Sequence, residues 1–251
     1  MHIDVTELRD FYLSPLGIAT RSLLRKKLRQ QWSDVTGLNI FGVGFAAPFL
    51  GAFRGEALRL GALMPASQGV ILWPAKGPYQ SALVEEQTLP LASSSIDRCI
   101  IVHSLEMSES ANHLLQEVWR ILVPDGHIIV IAPNRHGLWA RFDKTPFGYG
   151  QPFSRRQLGR RLYHARFSVQ KWHHILYMPP FDIKLNLASI EAWEKFGKLC
   201  SPAFSGLLMV EAKKEIYAPL PKTGIKIISG LGPLPASSLA GAKTAFKTHE
   251  K

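Results

Sequence analysis

The sequence predicts an α/β fold, in which a doubly wound, mostly parallel sheet carries helices on both faces. Apolar runs rich in β-branched residues alternate along the chain with segments of helical periodicity. One of these runs, residues 127–132 (HIIVIA), is apolar almost throughout, as in strands that are covered on both faces. A chain of 251 residues, 46 % of them hydrophobic, is long enough to bury one large core or two small ones.

The first half of the chain predicts helix, strand, helix and strand in that order. Residues 16–32 place leucines near helical spacing with basic residues between them, which predicts an amphipathic helix. The apolar run 38–41 predicts the first strand, and the Ala-, Leu- and Phe-rich residues 46–60 predict a helix. Residues 69–73 (GVILW), closed by a proline, predict the second strand.

The middle of the chain predicts a further strand, a helix, a turn and a strand. Residues 96–102 (IDRCIIV) have the β-branched content of a strand. Residues 108–122 repeat apolar side chains at i, i+3, i+4 and i+7, which predicts a helix. The sequence Val-Pro-Asp-Gly at 123–126 predicts a turn before the strand at 127–132.

The last predicted elements are a helix and a strand. Ser154 and Gln157 form the pattern of a capping box, and the helix that they open directs Leu158 and Leu162 inward. Alternation at residues 167–172 predicts the strand. Because sheets of this class bind ligands beyond the carboxyl ends of their strands, the expected site follows Phe41, Trp73, His103 and Pro133.

We expect three parts along the chain. Residues 1–35 form an amino-terminal helical lid, and residues 36–217 form the α/β domain. Residues 218–251 are rich in Pro, Gly, Ala, Ser and Lys, which predicts a basic, flexible tail.

The formal net charge of +11 is concentrated in two blocks. Residues 21–29 contribute +5 from five basic residues, and residues 135–171 contribute +8 from nine basic residues and one acid. Solvated helix faces explain such blocks, and so does a docking surface for an anionic substrate, a nucleic acid or an anionic membrane. Arginine forks suit phosphate or carboxylate groups, and four arginines lie on the helix that follows Ser154: Arg155, Arg156, Arg160 and Arg161.

The cysteines and the amino terminus bear on location and metals. Cys99 and Cys200 lie about a hundred positions apart, so neither a disulfide framework nor a cysteine-rich zinc site is expected, and no other pattern predicts a metal site. The amino terminus carries acids where an export signal carries bases. The longest window without charge, residues 35–53, is interrupted by glycines and a proline and falls short of a membrane span. We expect a soluble cytoplasmic protein.

A glycine turn follows the first predicted strand. Gly42, Gly44 and Ala46 form a G-x-G-x-A pattern between a strand and a helix. Glycines let backbone N–H groups approach a ligand, and the amino end of a helix favours anionic or polar groups. A tight turn that needs glycine for its backbone is the alternative interpretation. The chain contains no P-loop pattern, which argues against a phosphotransferase of that kind.

Residues 88–134 combine several short motifs in a fixed order. Leu-Pro-Leu at 89–91 is followed by three serines, by Ile-Asp, by an apolar strand to His103 and by Leu-Glu. E-V-W-R-I-L-V-P-D-G at 117–126 and A-P-N at 132–134 complete the order. It resembles the second half of the class I S-adenosylmethionine-dependent methyltransferase domain of the type 11 kind. The resemblance covers about residues 38–172 and implies a Rossmann-like fold, methyl transfer and S-adenosyl-L-methionine as cofactor.

The resemblance also implies a layout for the cofactor. Gly42 and Gly44 would face its methionine portion, with Ala46 in the place of a third glycine. Glu85 takes the position of the acid that contacts the adenine amino group, and Glu86 would offer its backbone. The implied cofactor-binding residues are Gly42, Gly44, Ala46, Trp73, Glu85, Glu86, Leu89 and His103.

Two acids of the family pattern are missing. The acid two residues before the first glycine falls on Ile40, and the acid at the end of the second strand, which holds the ribose hydroxyls, falls near Trp73. Each lost charge-assisted hydrogen bond weakens binding by about 1.5–3 kcal/mol at most. Trp73 offers a partial substitute, because an indole stacks on adenine or on a ribose face.

Methyl transfer from a sulfonium is an in-line displacement that needs positioning and no metal, with a base only when the acceptor must lose a proton. His103 is the candidate catalytic base, because histidine titrates near about 6.5. A hydrogen-bonded structural histidine is the alternative. His173, His174 and Tyr177 follow the last predicted strand and are candidates for an acceptor pocket, or for plain surface positions.

The sequence thus favours an S-adenosylmethionine-dependent methyltransferase whose acceptor, a small molecule or a macromolecule, is held by residues 1–35 and 135–217. A different class fits the missing acids: a methyltransferase-like fold without catalysis that serves as a basic module for binding protein or nucleic acid. A third hypothesis, nonspecific RNA binding, lacks the interleaved aromatic and basic residues of RNA modules.

Overall fold

A computed structural model of the chain describes residues 3–181, 187–200 and 204–216. One sheet is built from seven strands: β1 (Asn39–Gly44), β2 (Arg59–Pro65), β3 (Ser81–Val84), β4 (Ile96–Val102), β5 (Leu122–Pro133), β6 (Phe167–Ile175) and β7 (Leu207–Lys214). The helices are α1 (Val5–Leu13), α2 (Pro15–Gln31), α3 (Ala47–Leu50), α4 (Ala111–Ile121), α5 (Arg155–His164) and α6 (Leu187–Cys200).

The strand order is β3-β2-β1-β4-β5-β7-β6. Strands β1 to β5 run parallel, and β7 runs antiparallel to both β5 and β6. The chain direction across the sheet reverses between β1 and β4, and such a switch point is where open α/β sheets bind ligands. The predicted doubly wound, mostly parallel sheet is confirmed.

Alternate residues of the central strands face two separate cores. Ile100 and Ile129 pack with the leucines of α1, α2 and α3 on one face. Their neighbours Ile101 and Ile128 pack with the leucines of α4 and α5 on the other. Successive side chains of a strand point to opposite faces, and both faces here are covered. This explains why β5 reads as a nearly continuous apolar run.

Two helices precede the sheet, and both begin with a side-chain cap. The Asp4 carboxylate accepts a hydrogen bond from the Thr6 backbone N–H at 2.7 Å and opens α1. The Ser14 hydroxyl accepts from the Gly17 N–H at 3.1 Å and opens α2, with Pro15 in its first turn. A side chain at Gly17 would overlap the Phe11 carbonyl, so α1 and α2 pack closely. The sequence predicted α2 and missed α1.

The predicted second strand at residues 69–73 is wrong, as is the predicted helix over 46–60. The second strand is β2, and the helix shortens to α3 with a 3-10 turn, Gly51–Phe53. Gly55 has φ +86° and ends the helical path before β2 begins. Gly69 has φ +95°, which is incompatible with an extended strand at that position.

The predicted turn at 123–126 lies inside β5. Ile96 pairs with Leu122 and Arg98 with His127, so the intervening residues of β5 form a bulge. Asp125 has φ +63° within it. Other predictions are confirmed: α4, β1, β4 and β6, and α5, whose capping box joins Ser154 and Gln157. The sequence also missed β3, α6 and β7, although residues 207–210 are an apolar run.

The three-part division of the chain stays a prediction. Within the described residues, α1 and α2 contribute Tyr12, Leu24 and Leu28 to the same core as Ile40. The predicted tail, residues 218–251, lies outside the described residues. No helix in the described ranges has both the length and the apolarity to cross a membrane.

Candidate active site

The glycine turn closes the carboxyl end of β1. Gly44 has φ +82°, and a side chain there would meet the Val102 carbonyl oxygen and, at 2.7 Å, the Ser104 Cβ. A side chain at Gly42 would meet the Ala46 Cβ. The Phe45 N–H donates to the Val102 oxygen at 2.9 Å. Both glycines are therefore required by close packing of the chain on itself, whatever they contribute to a ligand.

Tyr12 of α1 lies between the glycine turn and the end of β4. Its ring stacks on Phe45 at 5.8 Å between centroids, and it meets Phe49 edge-on at 5.5 Å. The Tyr12 hydroxyl and the His103 Nε2 are hydrogen-bonded at 2.7 Å. Tyr12 is buried, and burial, followed by the charge of Glu106, raises the pKa of its hydroxyl well above the usual range. Tyr12 thus lies beside the glycine turn, near which the resemblance would place the methionine portion of the cofactor.

His103 and Glu106 form a buried pair directly after β4. The His103 Nδ1 lies 3.5 Å from the Glu106 Oε1, and both side chains have no exposed surface. His103 has φ +54°, a backbone conformation that costs about 1–3 kcal/mol in non-glycine residues and clusters at functional sites. Neither Glu106 oxygen accepts a hydrogen bond from the part of the chain that the structure describes. A buried carboxylate in that condition is costly unless a ligand or water bonds it.

Gln68 holds the strained backbone of His103 in place. Its side-chain amide donates to the His103 carbonyl and contacts the Met107 sulfur at 3.4 Å. Gln68 is itself 4 % exposed. Sequence reasoning missed the roles of Tyr12, Gln68 and Glu106. Glu106 was visible in the Leu-Glu pair of the motif, whereas Tyr12 gave no signal because α1 was not predicted.

A cavity of about 170 Å³ adjoins this group at the ends of β2 and β3. Residues 65–67, 85–87 and 108–110 line it, so it brings Glu85 and Glu86 together with Glu109 and three serines. The Ser104 hydroxyl donates to the Glu86 Oε1 at 2.6 Å, which links the cavity wall to the segment after β4. The cavity thus offers several carboxylate acceptors at the carboxyl ends of β2 and β3.

The interpretation of Trp73 changes with the strand. β2 ends at Met64 and Pro65, so the missing acid of the second strand falls there and not at Trp73. Trp73 lies in the loop between β2 and β3, where its N–H donates to the Ser81 hydroxyl at 3.2 Å. A contact of Trp73 with adenine or ribose stays a prediction. The argument for it assumed that Trp73 ends the second strand, and it does not.

Leu89 is fixed by α4. Its N–H donates to the Glu117 Oε2 at 3.0 Å, and its carbonyl accepts from the Arg120 guanidinium at 2.9 Å. A hydrogen bond from Arg120 is the main reason that the pKa of Glu117 lies below its usual range. The E-x-x-R motif therefore anchors the Leu-Pro-Leu segment next to the cavity.

The histidine pair lies away from the cleft. His173 and His174 belong to β6, which β5 and β7 separate from β4. The His173 Nε2 is hydrogen-bonded to the Gln31 side chain at 2.9 Å, and the His174 Nδ1 to the Ser205 hydroxyl at 3.1 Å. Tyr177 is buried, and its N–H donates to Glu194 at 2.8 Å. These residues have structural contacts at the far edge of the sheet.

Comparisons with known proteins agree with this architecture. Residues 69–130 match the family model described as a methyltransferase domain. The matched region begins after the glycine turn. A search of curated proteins gave no significant match. The resemblance to the class I S-adenosylmethionine-dependent methyltransferases is thus confirmed, and the chain has their fold.

Three solved structures show the extent of the similarity. A possible histamine N-methyltransferase from Thermotoga maritima has a TM-score of 0.58 at 14 % identity, over 84 % of this chain and 96 % of that one. A putative methyltransferase in complex with the Haloferax volcanii Trm112 activator has a TM-score of 0.55 at 15 % identity, over 84 % and 98 %. The [4+2]-cyclase SpnF has a TM-score of 0.53 at 16 % identity, over 77 % and 81 %. At these identities the likeness shows the fold, and the cyclase illustrates that one fold hosts different chemistries.

The described residues fit one end of S-adenosylmethionine better than the other. The carboxylate-lined cavity provides acceptors for the hydroxyl and amino groups of an adenosine. At about 170 Å³ it is smaller than the roughly 300–1,000 Å³ of pockets that enclose a whole ligand. Tyr12 and Phe45 fill the space beside the glycine turn. The buried, unbonded carboxylate of Glu106 lies beside Tyr12's partner His103 and would suit the positive charges of the methionine end.

Proposed function

We propose that the protein is an S-adenosylmethionine-dependent methyltransferase, whose acceptor is a small molecule or a macromolecule. The observation that carries the proposal is the carboxylate-lined cavity at the ends of β2 and β3, next to a buried His103–Glu106 pair. The pair follows β4, which borders the switch point of the sheet, and the cavity lies at the carboxyl ends of the neighbouring strands, where this architecture binds ligands.

In this proposal the acidic residues of the cavity bind the adenosine, although two other acids of the family pattern are missing. Glu85 and Glu86 accept hydrogen bonds from the adenosine, and Glu109 adds negative charge to the same cavity. The Ser104 hydroxyl orients Glu86 by donating to it. When bound, the cofactor supplies a methyl group on a positively charged sulfur. The buried carboxylate of Glu106 favours positive charge at that end of the cleft.

His103 is the proposed base for an acceptor that must lose a proton. With its ring proton on Nδ1, which faces Glu106, His103 carries on Nε2 the lone pair that would accept the proton. Tyr12 now holds that nitrogen at 2.7 Å. The methionine end of the cofactor and the acceptor therefore need Tyr12 to move away from the glycine turn.

Cofactor binding is testable without knowledge of the acceptor. We would titrate the protein with S-adenosylmethionine and S-adenosylhomocysteine by calorimetry, after confirming that no cofactor remains from purification. Ala66 is exposed and lines the cavity, so Ala66→Trp fills it without disturbing a core. Ala75→Trp, at an exposed position outside the cavity lining, is the matched control. We expect Ala66→Trp to abolish binding of both ligands and Ala75→Trp to leave it unchanged.

A specific observation favours a second candidate, a fold that has lost catalysis and serves as a basic interaction module. Ile40 and the end of β2 carry no acid, and Tyr12 lies between Phe45 and His103, where the methionine end of the cofactor would bind. If neither ligand gives heat or a thermal shift at millimolar concentration, the enzyme proposal is wrong and this candidate replaces it. A cytoplasmic location stays part of the proposal for either candidate.

A further inference from the structure

A second cavity, of about 570 Å³, lies beside α5 and is strongly basic. Three arginines and a histidine line it, and none of its lining residues is acidic. We call it the arginine cavity, and its polar residues are Arg135, Arg160, Arg161, His164, Gln151, Gln157 and Asn112. Its volume lies in the range of pockets that enclose small molecules.

The walls of the arginine cavity are fixed by backbone hydrogen bonds. The Arg135 N–H donates to the Phe153 carbonyl at 3.0 Å, and the Phe153 N–H donates to the Pro133 carbonyl at 3.0 Å. The Gln151 N–H donates to the Glu106 carbonyl at 2.8 Å. The capping box fixes the start of α5. A site whose walls are held in this way loses little entropy when a ligand binds.

The arginines in this cavity keep their charge uncompensated. Within the described ranges, no carboxylate forms an ion pair with Arg135, Arg160 or Arg161. The Arg161 guanidinium donates to the Asn112 amide oxygen at 3.0 Å and packs over the Phe153 ring at 5.6 Å, so neutral groups orient it. Three guanidinium groups without a counter-charge repel one another and attract an anion.

We propose that the arginine cavity binds a phosphate monoester. A phosphate monoester carries a charge of about −1.5 to −2 at pH 7 and three acceptor oxygens, whereas a carboxylate carries one charge and two oxygens. Three arginine forks match the higher charge and the larger number of acceptors. The amides of Gln151 and Asn112, with His164, provide further polar groups for the rest of the ligand.

This inference goes beyond methyl transfer and does not depend on it. The cavity is formed by α5, the start of α4 and the segments after β5, while the residues proposed to bind the adenosine lie at the ends of β2 and β3. Phosphate binding is therefore measured without S-adenosylmethionine. Its failure would leave the proposed function standing, and the failure of cofactor binding would leave this proposal standing.

The test uses glycerol 3-phosphate as a free phosphate monoester, with glycerol and acetate as comparison ligands, in calorimetric titrations of the whole chain at physiological salt. Arg135→Gln with Arg160→Gln removes two charges from the cavity at exposed positions. Arg155→Gln with Arg156→Gln removes two charges from exposed positions of the same helix, outside the cavity lining. We expect the first pair to weaken binding at least tenfold and the second pair to change it less than twofold.

Vesicles with phosphatidic acid separate the two sources of the phosphate monoester. Binding of glycerol 3-phosphate assigns the site to a free small molecule, and vesicle binding alone, lost in the first pair, assigns it to a lipid headgroup. The proposal is overturned if neither binds at millimolar ligand, if acetate binds as well as glycerol 3-phosphate, or if both pairs of substitutions weaken binding equally. The last result would show nonspecific attraction to a basic surface.

Discussion

Tyr12 and His103 are hydrogen-bonded at 2.7 Å inside the protein, although 91 positions separate them in the sequence. The bond ties the first helix to the end of β4, at the place where the fold binds ligands. Stacking of Tyr12 on Phe45 adds a contact with the glycine turn. Tyr12 of α1 therefore contacts both the residues that follow β1 and the residue that follows β4.

Removal of the Tyr12 hydroxyl should destabilise the fold. Tyr12→Phe keeps the ring and its stacking but leaves the buried His103 Nε2 without its partner, which costs about 1–3 kcal/mol. Urea unfolding measures the change in the free energy of unfolding. Tyr163→Phe, at an exposed position of α5, is the control and should be close to neutral. Equal stability of the wild type and Tyr12→Phe would show that the bond makes no net contribution to the free energy of unfolding.

Truncation of Tyr12 should have a second effect, on ligand affinity. If the methionine end of the cofactor needs the space of this ring, the cost of displacing it lowers the apparent affinity. Tyr12→Ala removes that cost, so S-adenosylhomocysteine should bind about tenfold more tightly than to the wild type. Tyr12→Phe, which keeps the ring, is the matched comparison and should show a much smaller gain. A weaker affinity in a folded Tyr12→Ala variant would contradict the role of Tyr12 as an obstacle.

Local pattern was enough to predict most of the sheet, because β1, β4 and β5 are apolar runs and α4 has a clear helical period. It failed where glycine changes the backbone path. Gly55 and Gly69 have positive φ, which explains why the second strand is β2 and not the predicted residues 69–73. The motif resemblance gave Glu85 and Glu86 a role in cofactor binding from their position just before Leu89. Both residues line a cavity in the structure, and their role stays a prediction.

The position of Tyr12 beside the glycine turn was not predictable in the same way. It depends on a contact between Tyr12 and His103, which no local pattern encodes. Likewise, the arginines of α5 were recognised as a basic helix, but the cavity needs Arg135 and the segment around Gln151, which come from other parts of the chain. Contacts between residues far apart in sequence follow from packing, and packing was available only from the structure.

Arg120 should act as a structural anchor for the segment before β4. Its guanidinium donates to the carbonyls of Leu89 and Leu91 at 2.9 and 2.8 Å and to Glu117 at 2.8 Å. Arg120→Leu leaves these carbonyls without their donor and should destabilise the fold by about 1–3 kcal/mol. Arg120→Lys should recover only part of this, because a lysine cannot reproduce the guanidinium fork.

Thermal and urea unfolding check the anchor, with Arg166→Lys at an exposed position as the control for charge-conserving change. If Arg120→Leu is as stable as the control, the bonds to the Leu-Pro-Leu segment contribute nothing, and the motif at 117–120 needs another explanation.

The last prediction concerns the pH dependence of stability and rests on Glu211 of β7. Burial raises the pKa of this carboxyl, but hydrogen bonds from His127 at 2.8 Å, from the Trp32 indole at 3.0 Å and from Gln31 together lower it below its usual 4.5. Trp32 and Gln31 lie at the end of α2, so the charged carboxylate joins that helix to the sheet.

Because the pKa of Glu211 is lowered in the folded protein, its contribution to stability is lost at acid pH. A carboxyl whose pKa is lower in the folded state than in the unfolded state stabilises the fold above its unfolded pKa, and the stabilisation disappears as the pH falls through the folded pKa. Glu211→Gln should therefore reduce the free energy of unfolding most above about pH 5, and its difference from the wild type should narrow as the pH falls below 4.5. Urea unfolding at several pH values measures this difference, with Asp143→Asn as an exposed control. A difference that stays constant down to pH 3 would exclude Glu211 as a source of acid sensitivity, because only a titrating carboxyl makes the two curves converge.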